Sequence, residues 1–172
     1  LDFIIISTPT NFQEEDNSFD TSSIEDIIHK IHKINKTNIV VIKSTIPIGF
    51  TQKLQEKYPE LTILFSPEFL SEGSALYDCL NPDRIIVGGS LKESEMVAAV
   101  FKSSTTTKNA PIILMTSEEA EATKLFANSY LAMRVAFFNE LDTFASQKKL
   151  STSAIIEGIS LDSRIGNFYN NP

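Results

Sequence analysis

Lys124 and Asn128 lie four apart in a stretch, about Glu118 to Lys149, that contains neither Pro nor Gly, so they share one face of a helix. Their neighbours on that helix are apolar, and a cation and an amide set among them require a polar partner such as a substrate oxygen. Glu68 and Glu72 are also four apart, beside the turn that Pro67 fixes. Two carboxylates brought close push one pKa up, which is the condition general acid/base chemistry uses. Thr8, Thr10, Ser44 and Thr45 add hydroxyls after apolar runs. Each candidate has a plainer reading. Glu72 is also a helix N-terminal acid favoured by the dipole, and Thr45 a turn or cap residue. Lys124 is also a lysine that snorkels or pairs with Glu121, three residues before it. Residue types and spacing alone name no reaction.

The elements that must position these residues follow from periodicity. Asp2–Ser7 and Asn38–Lys43 are continuous β-branched runs, the pattern of strands covered on both faces. Thr62–Phe65, Arg84–Val87 and Ile112–Met115 read as three further strands. Asn11–Phe19 is polar and loop-like. Between the strands, Ile24, Ile27, Ile28, Ile31 and Ile34 repeat at helical spacing behind a cap at Asp20 or Thr21. Phe50–Lys57 and Glu93–Lys102 read as helices, and Ser151 caps a short one reaching about Gly158. Alternating strands and helices predict a parallel α/β sheet. Ligands gather at the carboxyl ends of such strands, where Thr8, Thr45, Glu68 and Glu72 fall. The stretch from Glu118 predicts one helix roughly 45–50 Å long, more than a face of the chain's own sheet needs. Its apolar positions, from Ala122 and Leu125 through Phe126, Tyr130, Met133, Phe137 and Phe138 to Phe144, wrap more than one stripe. The expectation is burial nearly all round, by domains on either side or by a second copy.

At 172 residues, 42% hydrophobic and 22% charged, the chain fits one ordinary domain with room for a piece of a second. A net charge of −7, a pI near 4.8 and the lack of a Lys/Arg run argue against nucleic acid and anionic membrane surfaces as partners. No segment approaches about eighteen apolar residues. The single cysteine, Cys79, excludes an intrachain disulfide and a Cys-rich metal site and fits a reducing cytoplasm. His29 and His32, three apart among lysines with no third ligand, read as solvated rather than as a metal pair. Leu1 begins inside a strand-like run and Pro172 ends in the loop YNNP, so the expectation is a fragment of a longer protein.

The blocks TPTN at 8–11, FDTSSIE at 19–25, IKSTIPIGFT at 42–51, FSPEFLSEG at 65–73, ALYDCLNPDRIIVG at 75–88, EAEATKLFANSYLAMRVAFFNELDTFA at 119–145 and DSRIGNFYNNP at 162–172 span nearly the whole chain. In type and order they resemble the UDP-glucose/GDP-mannose dehydrogenase family, and within it the branch that oxidises UDP-glucose. The resemblance implies an NAD-dependent, cytoplasmic enzyme that oxidises the C6 alcohol of UDP-glucose twice, to UDP-glucuronate. It implies a homodimer joined through the long helix. The implied domains are residues 1–116, the later part of a Rossmann-like NAD-binding domain; 117–150, a connecting and dimerisation helix; and 151–172, the beginning of a UDP-sugar-binding domain. By the same resemblance Thr8 and Thr45 match threonines near the cofactor, and Thr45 one that acts through water in proton transfer. Glu72 matches a glutamate near the nicotinamide and thioester hydrolysis, and Glu68 a supporting carboxylate in a loop whose Phe69 and Leu70 face the substrate. Lys124 and Asn128 match the pair that holds an oxyanion at the reacting carbon. Arg164 matches an arginine of the sugar site, and Tyr169, Asn170 and Asn171 open a glycine-rich loop over the substrate.

Departures accompany the matches. The family's nucleophilic cysteine, which forms a thiohemiacetal and then a thioester, lies in a Gly-Gly-x-Cys block beyond YNNP. Cys79 is not that residue and is expected as a partly buried structural thiol. No spacing of the six glycines reproduces a Gly-x-Gly-x-x-Gly phosphate turn. Ser71 and Ser74 stand where charged residues are common. The 172 residues alone are therefore expected neither to bind NAD tightly nor to turn over. Two alternatives stand beside this reading: a dehydrogenase of another nucleotide sugar, GDP-mannose or UDP-N-acetylmannosamine, and a non-catalytic dimerisation module. The joint presence of Thr45, Glu72, Lys124 and Asn128 counts against the module, which has no need for a buried lysine and paired acids.

Overall fold

The computed structural model describes residues 3–15, 18–34, 38–71 and 73–172. The β-branched runs become strands whose side chains alternate between two packed faces. In chain order the elements are β1 (Phe3–Ile6), a small hairpin of β2 (Phe12–Gln13) and β3 (Ser18–Phe19), α1 (Ser22–Ile34) and β4 (Ile39–Ile42). They continue with α2 (Phe50–Lys57), β5 (Thr62–Phe65), α3 (Ala75–Leu80), β6 (Ile85–Gly88), α4 (Leu91–Ser104), β7 (Ile112–Met115), α5 (Ser117–Lys148) and α6 (Thr152–Ser160). The five-stranded sheet runs β1-β4-β5-β6-β7.

On one face Val40, Ile42, Ile63 and Phe65 pack with Ile24, Ile28 and Ile31 of α1, Leu54 of α2 and Ala120 of α5. On the other, Val41, Leu64, Ile85 and Val87 pack with Val97 and Ala98 of α4. Alternate residues of a strand point to opposite faces, so a strand covered by helices on both sides shows a continuous apolar run. The outer strands depart from that pattern: Ile5 of β1 is 52% exposed, and Ile112 and Ile113 of β7 are also exposed. The expectation of cover on both faces therefore fails at the sheet's edges.

Strand direction departs from the sequence reading at one junction. β1, β4 and β5 are mutually parallel and so are β6 and β7, but β5 meets β6 antiparallel through Phe65 and Gly88. The segment between them supplies only the six-residue α3, too short for the usual crossover between parallel neighbours. The β2–β3 pair, with Phe12 and Phe19 edge to face at 5.5 Å, lies where the sequence reads as loop.

The helices begin where local chemistry starts them. Asp20 accepts from the Ser22 amide and hydroxyl at 3.0 and 2.6 Å, and these bonds hold its carboxyl below the usual range. The long helix opens on a reciprocal box: the Thr116 amide donates to Glu119, and the Glu119 amide donates to the Thr116 hydroxyl. Ser151 caps α6 by accepting from the Ala154 amide at 3.3 Å. The chain divides into two compact units, Leu1–Leu125 and Phe126–Pro172, with the boundary inside α5. The expected all-round burial of α5 is not met within the chain, where Phe126, Tyr130, Met133, Phe137 and Phe144 are exposed. Phe138 and Ala145 are its buried apolar residues beyond the boundary.

Gly88 is where β6 and the start of α5 touch. A Cβ there would meet the Ala120 Cβ and the Thr116 carbonyl oxygen at 2.7 Å and the Ser117 Cα at 2.9 Å. Gly88→Ala must push the long helix off the sheet, and we expect it to lower unfolding free energy by about 1–3 kcal/mol in denaturant titration.

Candidate active site

The segments after β1, β4 and β5 converge at their carboxyl ends, tied by short polar bonds. The Thr10 hydroxyl donates to the Thr45 carbonyl at 2.7 Å, and the Ser44 hydroxyl to the Thr8 carbonyl at 2.6 Å. The Ser23 hydroxyl, in the first turn of α1, donates to the Thr8 hydroxyl at 3.1 Å. Beside these loops the Lys43 ammonium lies 3.3 Å from the Glu68 carboxylate, and Lys124 donates to the Glu68 main-chain carbonyl. Thr8, Thr10, Lys43, Thr45, Glu68 and Lys124 thus line one cavity of about 360 Å³. Below it the Phe69 ring meets two cations, with the Arg84 guanidinium 3.8 Å and the Lys124 ammonium 5.2 Å from its centroid.

What brings α5 to these loops is Glu121. Its side chain is fully buried, and its two carboxylate oxygens accept from the Gly49 amide at 2.6 Å and the Thr51 amide at 2.9 Å. Gly49 precedes α2 in the left-handed region (φ 82°) and has no side chain to cap that helix. A carboxylate from a distant helix takes the place of the missing cap, where the helix dipole also favours negative charge. Glu121 therefore does not pair with Lys124, the local alternative that sequence spacing allowed. One helical turn later, Lys124 is left to the Glu68–Phe69 loop.

Burial pushes the Lys124 ammonium below its ordinary pKa of 10.5; the Glu68 carboxylate opposes that shift and the Arg84 charge adds to it. A half-buried cation, hydroxyls and a carboxylate around one cavity can hold a polar substrate group, stabilise negative charge on an oxygen and accept a proton.

Of the residues singled out from sequence, Thr8, Thr10, Ser44, Thr45, Glu68, Leu70 and Lys124 come together in this cavity, with Phe69 in the wall of the adjoining one. Glu72 lies outside the described residues. Asn128, exposed, and Arg164, Tyr169, Asn170 and Asn171 belong to the second unit. There Arg164 is clasped by Asp162 of its own turn at 2.7 Å, which raises the arginine's pKa and lowers the aspartate's. Asn170 donates to the Ser160 hydroxyl at 2.8 Å and to Asn167, and with Asn171 and Glu157 it lines a cavity of about 450 Å³. Arg134 of α5 gathers this tail by donating to the main-chain oxygens of Ile165 and Phe168.

Cys79 is exposed rather than partly buried, which corrects the expectation of a structural thiol. Ser71 and Ser74 have a local role instead of charge: the Ser71 amide and the Ser74 hydroxyl donate to Asp78 at 2.8 and 3.0 Å, and these bonds lower its pKa. His32 contacts Glu60 at 2.9 Å, and among the described residues no group of three His, Cys, Asp or Glu could hold a metal. Sequence reasoning missed Lys43, Arg84 and Arg134, whose hydrogen-bond, ion-pair and ring partners lie mostly more than ten residues away. For Glu121 a signal existed: an acid in the first turns of a helix, facing a glycine-capped loop.

Helices on both faces of a mostly parallel sheet, with the polar residues at its carboxyl edge, define the nucleotide-binding class of α/β folds. Residues 1–105 match the NAD binding domain of the UDP-glucose/GDP-mannose dehydrogenase family, and residues 118–172 match that family's central domain. The chain belongs to this family. It is 50% identical to a UDP-glucose 6-dehydrogenase of Campylobacter jejuni over 99% of its length, and 46% identical to one of Streptococcus pneumoniae over its full length. It spans less than half of those relatives, 44% and 45% respectively. A UDP-glucose dehydrogenase structure from Pyrobaculum islandicum superposes with a TM-score of 0.86 at 29% identity, over 98% of this chain and 41% of that one. A GDP-mannose dehydrogenase at 22% identity and a TM-score of 0.80 shares the fold.

The placement of Lys124 has a direct readout. In a pH titration followed by NMR of lysines labelled at Cε, Lys124 is expected to titrate below the exposed lysines. Arg84→Met, by removing a like charge, should move its midpoint upward.

Proposed function

We propose that this chain is the central portion of an NAD-dependent UDP-glucose 6-dehydrogenase, which oxidises the C6 alcohol of UDP-glucose in two steps to UDP-glucuronate in the cytoplasm. The observation that carries the reading is the single cavity shared by Thr8, Thr45, Glu68 and Lys124 at the carboxyl ends of β1, β4, β5 and beside α5. An alcohol carbon that gives up a hydride passes through a state with negative charge on its oxygen. The half-buried Lys124 ammonium supplies a charge to meet it; Asn128 is assigned as the second donor by the family resemblance alone. Glu68 and the Thr45 loop supply the acceptor and hydroxyl groups for moving the proton, with Glu72 as the second carboxylate.

The hydroxyl-rich loops at Thr8 and Thr45 fit the sugar and amide groups of a dinucleotide, and NAD would accept the hydride there. The thioester step needs the nucleophilic cysteine that the family resemblance assigns to a separate block. Arg164, Tyr169, Asn170 and Asn171 would belong to the sugar-nucleotide side. The apolar residues that α5 leaves exposed, Phe126, Tyr130, Met133, Phe137 and Phe144, support a homodimer formed through this helix. Among the described residues no helix is long and apolar enough to cross a membrane.

The test is a panel of nucleotide sugars offered to the complete gene product that carries these residues. We expect NADH to form with UDP-glucose in a ratio of two per sugar, with GDP-mannose and UDP-N-acetylmannosamine giving little. Preference for either of those sugars would move the substrate assignment, and no NADH with any of them would overturn the reading.

A further inference from the structure

Two lysines reach Glu68, and they take different parts of it. Lys124 donates to its main-chain carbonyl, while the carboxylate faces Lys43 at 3.3 Å. Lys43 is the residue after β4, between the buried Ile42 and Ser44, and its side chain is only 18% exposed. Besides the carboxylate, its ammonium has the Ser66 carbonyl at 3.5 Å and the Phe101 ring centroid at 4.7 Å. A lysine at a strand end ordinarily reaches solvent on a flexible stem. This one is held on three sides, and its pair with Glu68 stands between the polar cavity and an apolar one of about 410 Å³ lined by Phe69, Pro82, Val100 and Phe101.

We propose that Lys43 is a positioning residue of the site: it holds the Glu68 carboxylate away from Lys124, which leaves the Lys124 charge free to act on an anionic oxygen in the cavity. A Glu68 carboxylate paired to Lys124 would neutralise that cation before any substrate oxygen reached it. A carboxylate paired with Lys43 at 3.3 Å is held from a direct pair with Lys124, although its charge still acts on Lys124 through space. Fixing Glu68 also holds a carboxylate in the wall of the cavity, where a proton acceptor is needed. The charged groups around Lys124 in this arrangement are Glu68, Lys43 and Arg84, with Asp78 and Asp83 on the wall of the apolar cavity.

The proposal rests on the dehydrogenase reading for its kinetic consequence but not for its electrostatic one, so the two can fail separately. In the complete gene product, Lys43→Met is expected to lower kcat by about tenfold or more while changing the KM for sugar and for NAD by less than about threefold. Lys43→Arg, which restores a cation, is expected to recover most of the loss. Wild-type kcat in Lys43→Met, or a loss that Lys43→Arg does not recover, would overturn the proposal.

Independently of turnover, Lys43→Met should raise the midpoint of Lys124 in the lysine NMR titration as the freed Glu68 carboxylate moves to it. Removing the Lys43 charge raises the midpoint a little by itself, so the larger part of the rise, and not all of it, should be lost when Glu68→Gln is combined with it. An unchanged midpoint, or a rise of the same size in the Glu68→Gln background, contradicts the proposal even if the protein oxidises no nucleotide sugar.

Discussion

The bidentate contact of Glu121 with the Gly49 and Thr51 amides is the constraint on which the site depends. It joins residues seventy or more positions apart, uses a fully buried carboxylate, and supplies the N-terminal cap that a glycine cannot. Hydrogen bonds to a charged group contribute about 1.5–3 kcal/mol each, and the two amides would otherwise be left without an acceptor in a dry environment. Its consequence is geometric. α5 is pinned against the loop that carries Thr45, and Lys124, one turn on, is delivered to the Glu68 carbonyl. The Gly88 contact fixes the same helix from the other side, since Ala120 packs where a Cβ would be.

Around that anchor the polar groups divide the work of holding one another. The two β-strand loops are cross-tied through Thr10 and Ser44, so Thr45 is set by hydrogen bonds rather than by its own turn alone. Lys43 takes the Glu68 carboxylate and Lys124 takes its carbonyl. Phe69 offers its ring to both Lys124 and Arg84. The result is a cation held partly out of water with its proton weakened by burial, a state suited to meeting negative charge that appears during a reaction rather than before it.

Much of the first unit was legible because strand runs and helix periodicity are local. Once the strands were placed, Thr8, Thr45 and Glu68 had to fall at their carboxyl ends, and Lys124 on an apolar helix had to find a polar partner. What local pattern could not supply were choices between partners. Glu121 and Lys124 are three apart, and nothing in that spacing says that the acid turns instead to a helix cap across the sheet. Lys43 ends an apolar run, and only the fold brings Glu68 and Phe101 to it. The direction of β6 was hidden because the connection after β5 holds only a short helix, so either sense of pairing satisfied the apolar pattern. The exposed phenylalanines of α5 show a limit of another kind: periodicity registers that a surface is apolar, but not which molecule covers it.

In the proposed reaction Glu121 acts by placing Lys124. A double-mutant cycle in kcat/KM for UDP-glucose on the complete gene product, with Glu121→Gln, Lys124→Met and their combination, measures that most directly. If Glu121 works through Lys124, the double variant loses little more than Lys124→Met alone, and the coupling is at least about 1 kcal/mol. If the two losses simply add, Glu121 only stabilises the fold, and the placement of Lys124 has another cause.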